Sequence, residues 1–140
     1  MKFFIFLSMF VLIFNHCKTQ ETDHIKKQYP FKGIKIDSVI VKYKAPANTY
    51  SLDDKSINEL KTYLESFDSY MLIKGKRLHG AKTICNVTLF TSENNYLVNI
   101  KGHDEEGISA SFFEDNKKDN FKYSMGRLYN ANQLLDFFRQ

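Results

Sequence analysis

Apolar residues recur along this chain in three rhythms. Phe3 to Phe14 is a continuous apolar run broken only by Ser8. From Ile34 onward the dominant spacing is two residues, the period of a strand with one buried face. Two stretches, 52–67 and 129–138, switch to the three-and-four spacing of an amphipathic helix.

The first strand is expected from Ile34 to Tyr43. Ile34 and Ile36 alternate with Lys35 and Asp37, and then Val39, Val41 and Tyr43 take the opposite phase. Such a change at Asp37–Ser38 predicts a β-bulge or a strand buried on both faces. Residues 45–49 should end the strand. A helix follows, with Ile57, Leu60, Leu64 and Phe67 on one stripe and Tyr63 beside it. Asp53 suits its N-cap, with Leu52 and Ile57 as the hydrophobic staple. Lys55, Glu59, Lys61 and Glu65 should face water.

Residues 69–73 fit an optional short strand, and 74–82 a loop. Cys85, Val87 and Leu89 then share one strand face, with Ile84, Asn86, Thr88 and Phe90 on the other. Ser92 to Asn95 turn the chain, and Tyr96, Val98 and Ile100 return it. Gly102 to Gly107 reads as a polar turn before the strand of Ile108, Ala110 and Phe112. Glu114 to Asn120 reads as a long charged turn before Phe121, Tyr123 and Met125. Asn130 is the expected N-cap of a last helix, with Tyr129 and Leu134 as its staple and Ala131, Leu134, Leu135 and Phe138 as its stripe. The order β-α-β-β-β-β-α predicts an α+β fold: a two-layer sandwich of an antiparallel sheet, about four to five strands, and two helices on one face.

The leading run does not belong to this pattern. Its 12 residues fall well short of the ~20 that span a bilayer, and no polar face would suit it to a core helix. Lys2 stands before it. Asn15, His16 and Cys17 end it, and the polar residues Lys18 to Asp23 follow. A cysteine directly behind a short apolar run and ahead of a polar tether resembles the signal of bacterial lipoproteins. The resemblance covers residues 1–17. It implies that Cys17 becomes the first mature residue and carries a thioether-linked diacylglycerol. The organisation would then be a signal peptide at 1–16, a lipidated cysteine with a flexible tether at 17–32, and one α+β domain at 33–140. The chain would be exported and lipid-anchored to the bacterial cell membrane or outer membrane. A soluble secreted or periplasmic form is the alternative.

Charge adds little to this reading. The formal net charge is +4, and basic residues interleave with acidic ones, as on an ordinary solvated surface. That balance and the export signal argue against nucleic acid as a partner. The two cysteines are Cys17 and Cys85. With Cys17 lipidated, Cys85 behaves as a small buried hydrophobe; a Cys17–Cys85 disulfide is the competing reading for a secreted form.

Candidate chemistry is sparse. Lys74, Lys76, Arg77, His79 and Lys82 gather around Gly75 and Gly80, a loop that could hold an anion or an acidic partner. It lacks the G-x-x-x-x-G-K-[ST] spacing of a phosphate-binding loop. His103, Asp104, Glu105 and Glu106 are consecutive, so they cannot all point inward at a metal, and no metal site is expected. The four histidines, at 16, 24, 79 and 103, have no evident nucleophile or orienting partner. With no catalytic residue or cofactor indicated, the sequence points to a small, non-catalytic envelope lipoprotein that binds an envelope protein or polymer and meets the membrane surface through its lipid. The alternative is an inhibitor or immunity-type protein that blocks an envelope-targeted enzyme or toxin.

Overall fold

Residues 24–75, 80–103 and 107–139 are described by the computed structural model. Their elements are a helical turn at 24–28 (α1), β1 (Ile36–Lys44), β2 (Ala47–Ser51), α2 (Asp54–Glu65), β3 (Lys82–Thr91), β4 (Asn95–His103), β5 (Gly107–Asn116), β6 (Phe121–Tyr129) and α3 (Asn132–Asp136). Among these residues six strands form one sheet in the order β2-β1-β3-β4-β5-β6, with every neighbouring pair antiparallel. The fold is mixed α+β and mostly sheet. No helix among the described residues is long and apolar enough to cross a membrane.

The sheet has one strand more than the upper expectation because residues 45–49 do not simply end β1. The chain reverses at Ala45–Pro46, a cis peptide, and Ala47–Ser51 returns alongside β1, placing Tyr50 opposite Val41. This edge strand is mostly exposed, so it carries no apolar alternation that would announce it. The third helix is α1, within residues expected to be a flexible tether. The phase change near Asp37 is a register shift between Ile36 and Ser38 where β1 meets β3, as a bulge requires.

α2 has the expected start. The Asp53 side chain accepts from the Ser56 N–H at 2.7 Å, satisfying one of the orphan donors of the first turn. Ile57, Leu60 and Leu64 are buried. On the opposite side Lys55–Glu59 and Lys61–Glu65 are i,i+4 pairs, each at 3.9 Å. Such partly exposed pairs add little stability; they mark the wet face.

After α2 the chain runs to the far edge of the sheet. Ile73 exchanges both backbone hydrogen bonds with Arg127 of β6, each 2.9 Å. The stretch expected as a short strand is thus a turn with one isolated bridge. Gly126 permits the approach. Its φ is +127°, and a Cβ there would lie 2.8 Å from the Leu72 carbonyl oxygen. Only glycine satisfies both conditions without strain.

The core lies on one face of the sheet. Val41, Val87, Val98 and Phe112 face one another in register and are buried together with the apolar stripes of α2 and α3. Phe31, ahead of β1, is fully buried among them. Its ring meets Phe67 edge-on at 5.9 Å, Tyr96 edge-on at 5.7 Å and Phe112 at 5.4 Å.

At the other end, Leu134, Leu135 and Phe138 are buried as expected. Asn130 does not cap α3. It adopts φ +56°, a left-handed conformation asparagine tolerates, because β6 continues to Tyr129 and the chain must reverse at once. Ala131 takes the N-cap position with no side-chain bond. The turn between β5 and β6 is also tighter than expected: β5 runs to Asn116, whose Oδ1 accepts from the Lys118 N–H at 2.9 Å.

Replacing Phe31 by Ala removes the ring shared by the lead-in, the end of α2 and the sheet. The expected loss is about 3–5 kcal/mol of folding free energy, read as a lower urea midpoint with an unchanged slope. A loss under about 1 kcal/mol would show that the site collapses around the smaller side chain.

Candidate ligand-binding face

The core residues point one way, so their neighbours in each strand point the other. Following the register, the row beside the core line is Thr49, Lys42, Asn86, Asn99, Ser111 and Arg127. It crosses all six strands. At ~4.8 Å per strand it runs roughly 24 Å. Thr49, Lys42 and Asn86 are exposed; Asn99, Ser111 and Arg127 are half-buried. Every side chain in this row offers a hydrogen-bond donor, and the two asparagines and the hydroxyls of Thr49 and Ser111 also offer acceptors.

On one side runs a more apolar row, Ser51, Ile40, Thr88, Leu97, Phe113 and Ser124. On the other lies Thr83, Lys101, Ser109 and Tyr129. Cations dominate this face. Lys42, Lys44, Lys101, Lys122 and Arg127 occupy it, whereas Asp115 is the only carboxylate at a strand-paired position on it among the described residues.

The Arg127 end is shaped into a hollow of about 390 Å³, where Ile73, Lys74 and Gly75 pass beside Ser111, Phe113, Ser124 and Arg127. The Ile73–Arg127 bridge therefore delivers Lys74 to the row. The Arg127 guanidinium is held in place: Nε donates to Ser111 Oγ at 3.2 Å and Nη1 to Tyr129 Oη at 3.4 Å, with the Tyr129 ring centroid 5.9 Å from Cζ.

Of the residues expected to bind an anion, Lys74 and Lys82 are described and both are exposed. Lys74 lines the hollow. Lys82 is the first residue of β3, paired with Gly102, rather than part of a loop. Lys76, Arg77 and His79 lie outside the described residues, as do Cys17 and Asp104 to Glu106. His103 Nε2 lies 3.5 Å from Ser109 Oγ. Among the described residues no three His, Cys, Asp or Glu side chains gather as metal ligands.

A second cleft, about 450 Å³, lies between residues 26–35 and the β3–β4 turn. It mixes charges. Lys26, Lys32 and Lys35 contribute to its lining, and so do Glu93 and Glu114. Glu114 Oε1 accepts from Asn94 Nδ2, and Thr91 Oγ1 donates to the Asn94 carbonyl, both at 2.5 Å. Thr91, Asn94 and Glu114 in it are engaged with one another, whereas Lys42 and Asn86 of the sheet row are exposed.

Three groups, buried Cys85 and half-buried Tyr43 and Tyr96, titrate late. Burial pushes the Cys85 thiol from the ordinary 9.0 up to about 11. Burial, with the charge of Cys85 adding to it, pushes Tyr43 to about 12, and burial with Glu114 and Glu93 does the same for Tyr96. Cys85 is thus a packed thiol rather than a nucleophile. Comparisons with protein-family models, curated proteins and solved structures find no match to this chain.

These raised values set the alkaline behaviour. All three groups are neutral when folded, so their contribution is fully present below the ordinary thiol value and is lost as the unfolded chain ionises first. Stability should fall between about pH 9 and pH 12. Urea unfolding across that range should show the decline, and Cys85→Val should remove its lower part. A flat profile in the unaltered chain would contradict the assignment.

Proposed function

We propose that this chain is a small cell-envelope lipoprotein whose folded domain acts by non-catalytic binding. The observation that carries the reading is Cys17, three residues past the end of the apolar run Phe3 to Phe14 and ahead of a polar stretch. In this reading the cysteine bears a diacylglycerol, residues 1–16 are removed, and the polar stretch spaces the domain from the bilayer. Two or more acyl chains give stable anchoring, at about 0.8 kcal/mol per buried CH₂.

The domain supplies the contact. In this reading α2 and α3 form one layer on the sheet, a two-layer sandwich, and the opposite face is the binding surface. The cationic bias of that face, and the delivery of Lys74 to Arg127, favour a partner with acidic groups.

Labelling with radioactive palmitate tests the anchor. The unaltered protein should incorporate label and partition with membranes, and Cys17→Ser should lose both. A mature protein that begins elsewhere than Cys17, with no acyl increment in mass, would remove this reading.

A further inference from the structure

We propose that the sheet row Thr49–Lys42–Asn86–Asn99–Ser111–Arg127 binds an extended acidic polysaccharide lying across the strands. The proposal rests on the reading of the chain as an envelope binding domain and names the chemistry of its partner.

The row separates two kinds of group. Cations stand toward its ends, Lys42 on β1 and Arg127 on β6, with Lys74 beside Arg127. Between them stand only neutral groups, Asn86, Asn99 and Ser111. Widely spaced cations suit a polymer with intermittent carboxylates. Amide and hydroxyl groups between them suit sugar hydroxyls, which both donate and accept, as asparagine does. The adjoining Leu97 and Phe113, half-buried in the next row, offer apolar surface to the C–H faces of a sugar ring.

Competing polymers fit less well. A nucleic acid presents a phosphate at every nucleotide and gains most from bases stacked on exposed aromatic rings. The centre of the row offers neither a run of cations nor such rings. An acidic peptide such as polyglutamate carries a carboxylate on every residue, a denser charge than cations standing toward the ends of the row match. Pairing along a strand edge would engage β2 or β6, not a face that crosses all the strands.

The test uses the full-length, detergent-solubilised protein and immobilised polymers. Hyaluronan, with a carboxylate on alternate sugars only, is the probe; neutral dextran, polyglutamate and a single-stranded oligodeoxynucleotide are the comparisons. Hyaluronan should be retained at low salt and released as salt rises, since exposed charge pairs are screened. Dextran should pass through, and polyglutamate and the oligonucleotide should bind more weakly. Asn86→Ala/Asn99→Ala should weaken hyaluronan binding about tenfold, the scale of two hydrogen bonds between neutral groups, and leave polyglutamate binding unchanged. Lys42→Gln/Lys74→Gln should weaken both and flatten the salt dependence. Unfolding midpoints check each variant, and the exposed Asn86→Ala alone replaces the double variant if that fails to fold.

No retention of hyaluronan, equal retention of polyglutamate or oligonucleotide, or unchanged affinity in the asparagine variants would overturn the proposal. Those outcomes leave palmitate labelling at Cys17 untouched. Conversely, loss of labelling removes the anchor and leaves the polymer measurement standing.

Discussion

The line Val41–Val87–Val98–Phe112 governs this structure. Four strands contribute one buried apolar residue each, directly opposite one another. A one-residue slip in any of them would turn its apolar set outward, at roughly 1.5–3 kcal/mol for each large side chain exposed. The register is therefore held tightly. The neighbouring row Lys42–Asn86–Asn99–Ser111–Arg127 inherits that precision without contributing to it. Its polar groups lie in line because the residues beside them are packed.

The ends of the sheet are secured by different means. At the β2 edge, Tyr43 donates from its hydroxyl to the Phe138 carbonyl at 2.7 Å, and the Tyr50 hydroxyl donates to the same oxygen. The two rings stack, with centroids 6.4 Å apart. One carbonyl at the end of α3 is thus satisfied twice, and the last helix is tied to the first hairpin. At the β6 edge the tie is backbone to backbone, through Ile73 and Arg127, and depends on Gly126 having no side chain.

Much of this fold was legible in local pattern. The stripe Ile57, Leu60, Leu64 and the cap at Asp53 follow from helical spacing and capping chemistry alone. The inward set Cys85, Val87, Leu89 follows from alternation; the phase change beside Asp37 fits a bulge or a strand buried on both faces, and the register shows the bulge. What escaped has physical reasons. β2 is a polar edge strand with one half-buried tyrosine, so it lacks the signal that burial imposes. Asn130 has a good capping side chain, but the abrupt end of β6 claimed its backbone for a left-handed turn. The proposed binding face escaped for a deeper reason. Alternation shows that Lys42 and Asn99 point away from the core, but it would put Arg127 in phase with Tyr123 and Met125; the register shift between β5 and β6 turns Arg127 outward, and only strand order and register show that the three share one row. Lys74 was singled out from a run of cations, but the bridge that carries it to Arg127 joins residues 54 positions apart.

The placement of Phe31 has a mechanical meaning. The segment ahead of β1 is fastened to the end of α2 at several points: the Ser69 N–H donates to the Gln28 carbonyl at 2.7 Å, the Gly33 N–H to Glu65 Oε1 at 3.2 Å, and Phe31 packs on Phe67. A pull arriving from the residues before 24 therefore meets a buried ring and a helix end before it reaches the first hydrogen bond of β1. The strands are shielded from being peeled one bond at a time. Tension is borne first by side-chain burial, and the sheet keeps its register, with the row on its far face intact, while that load is held.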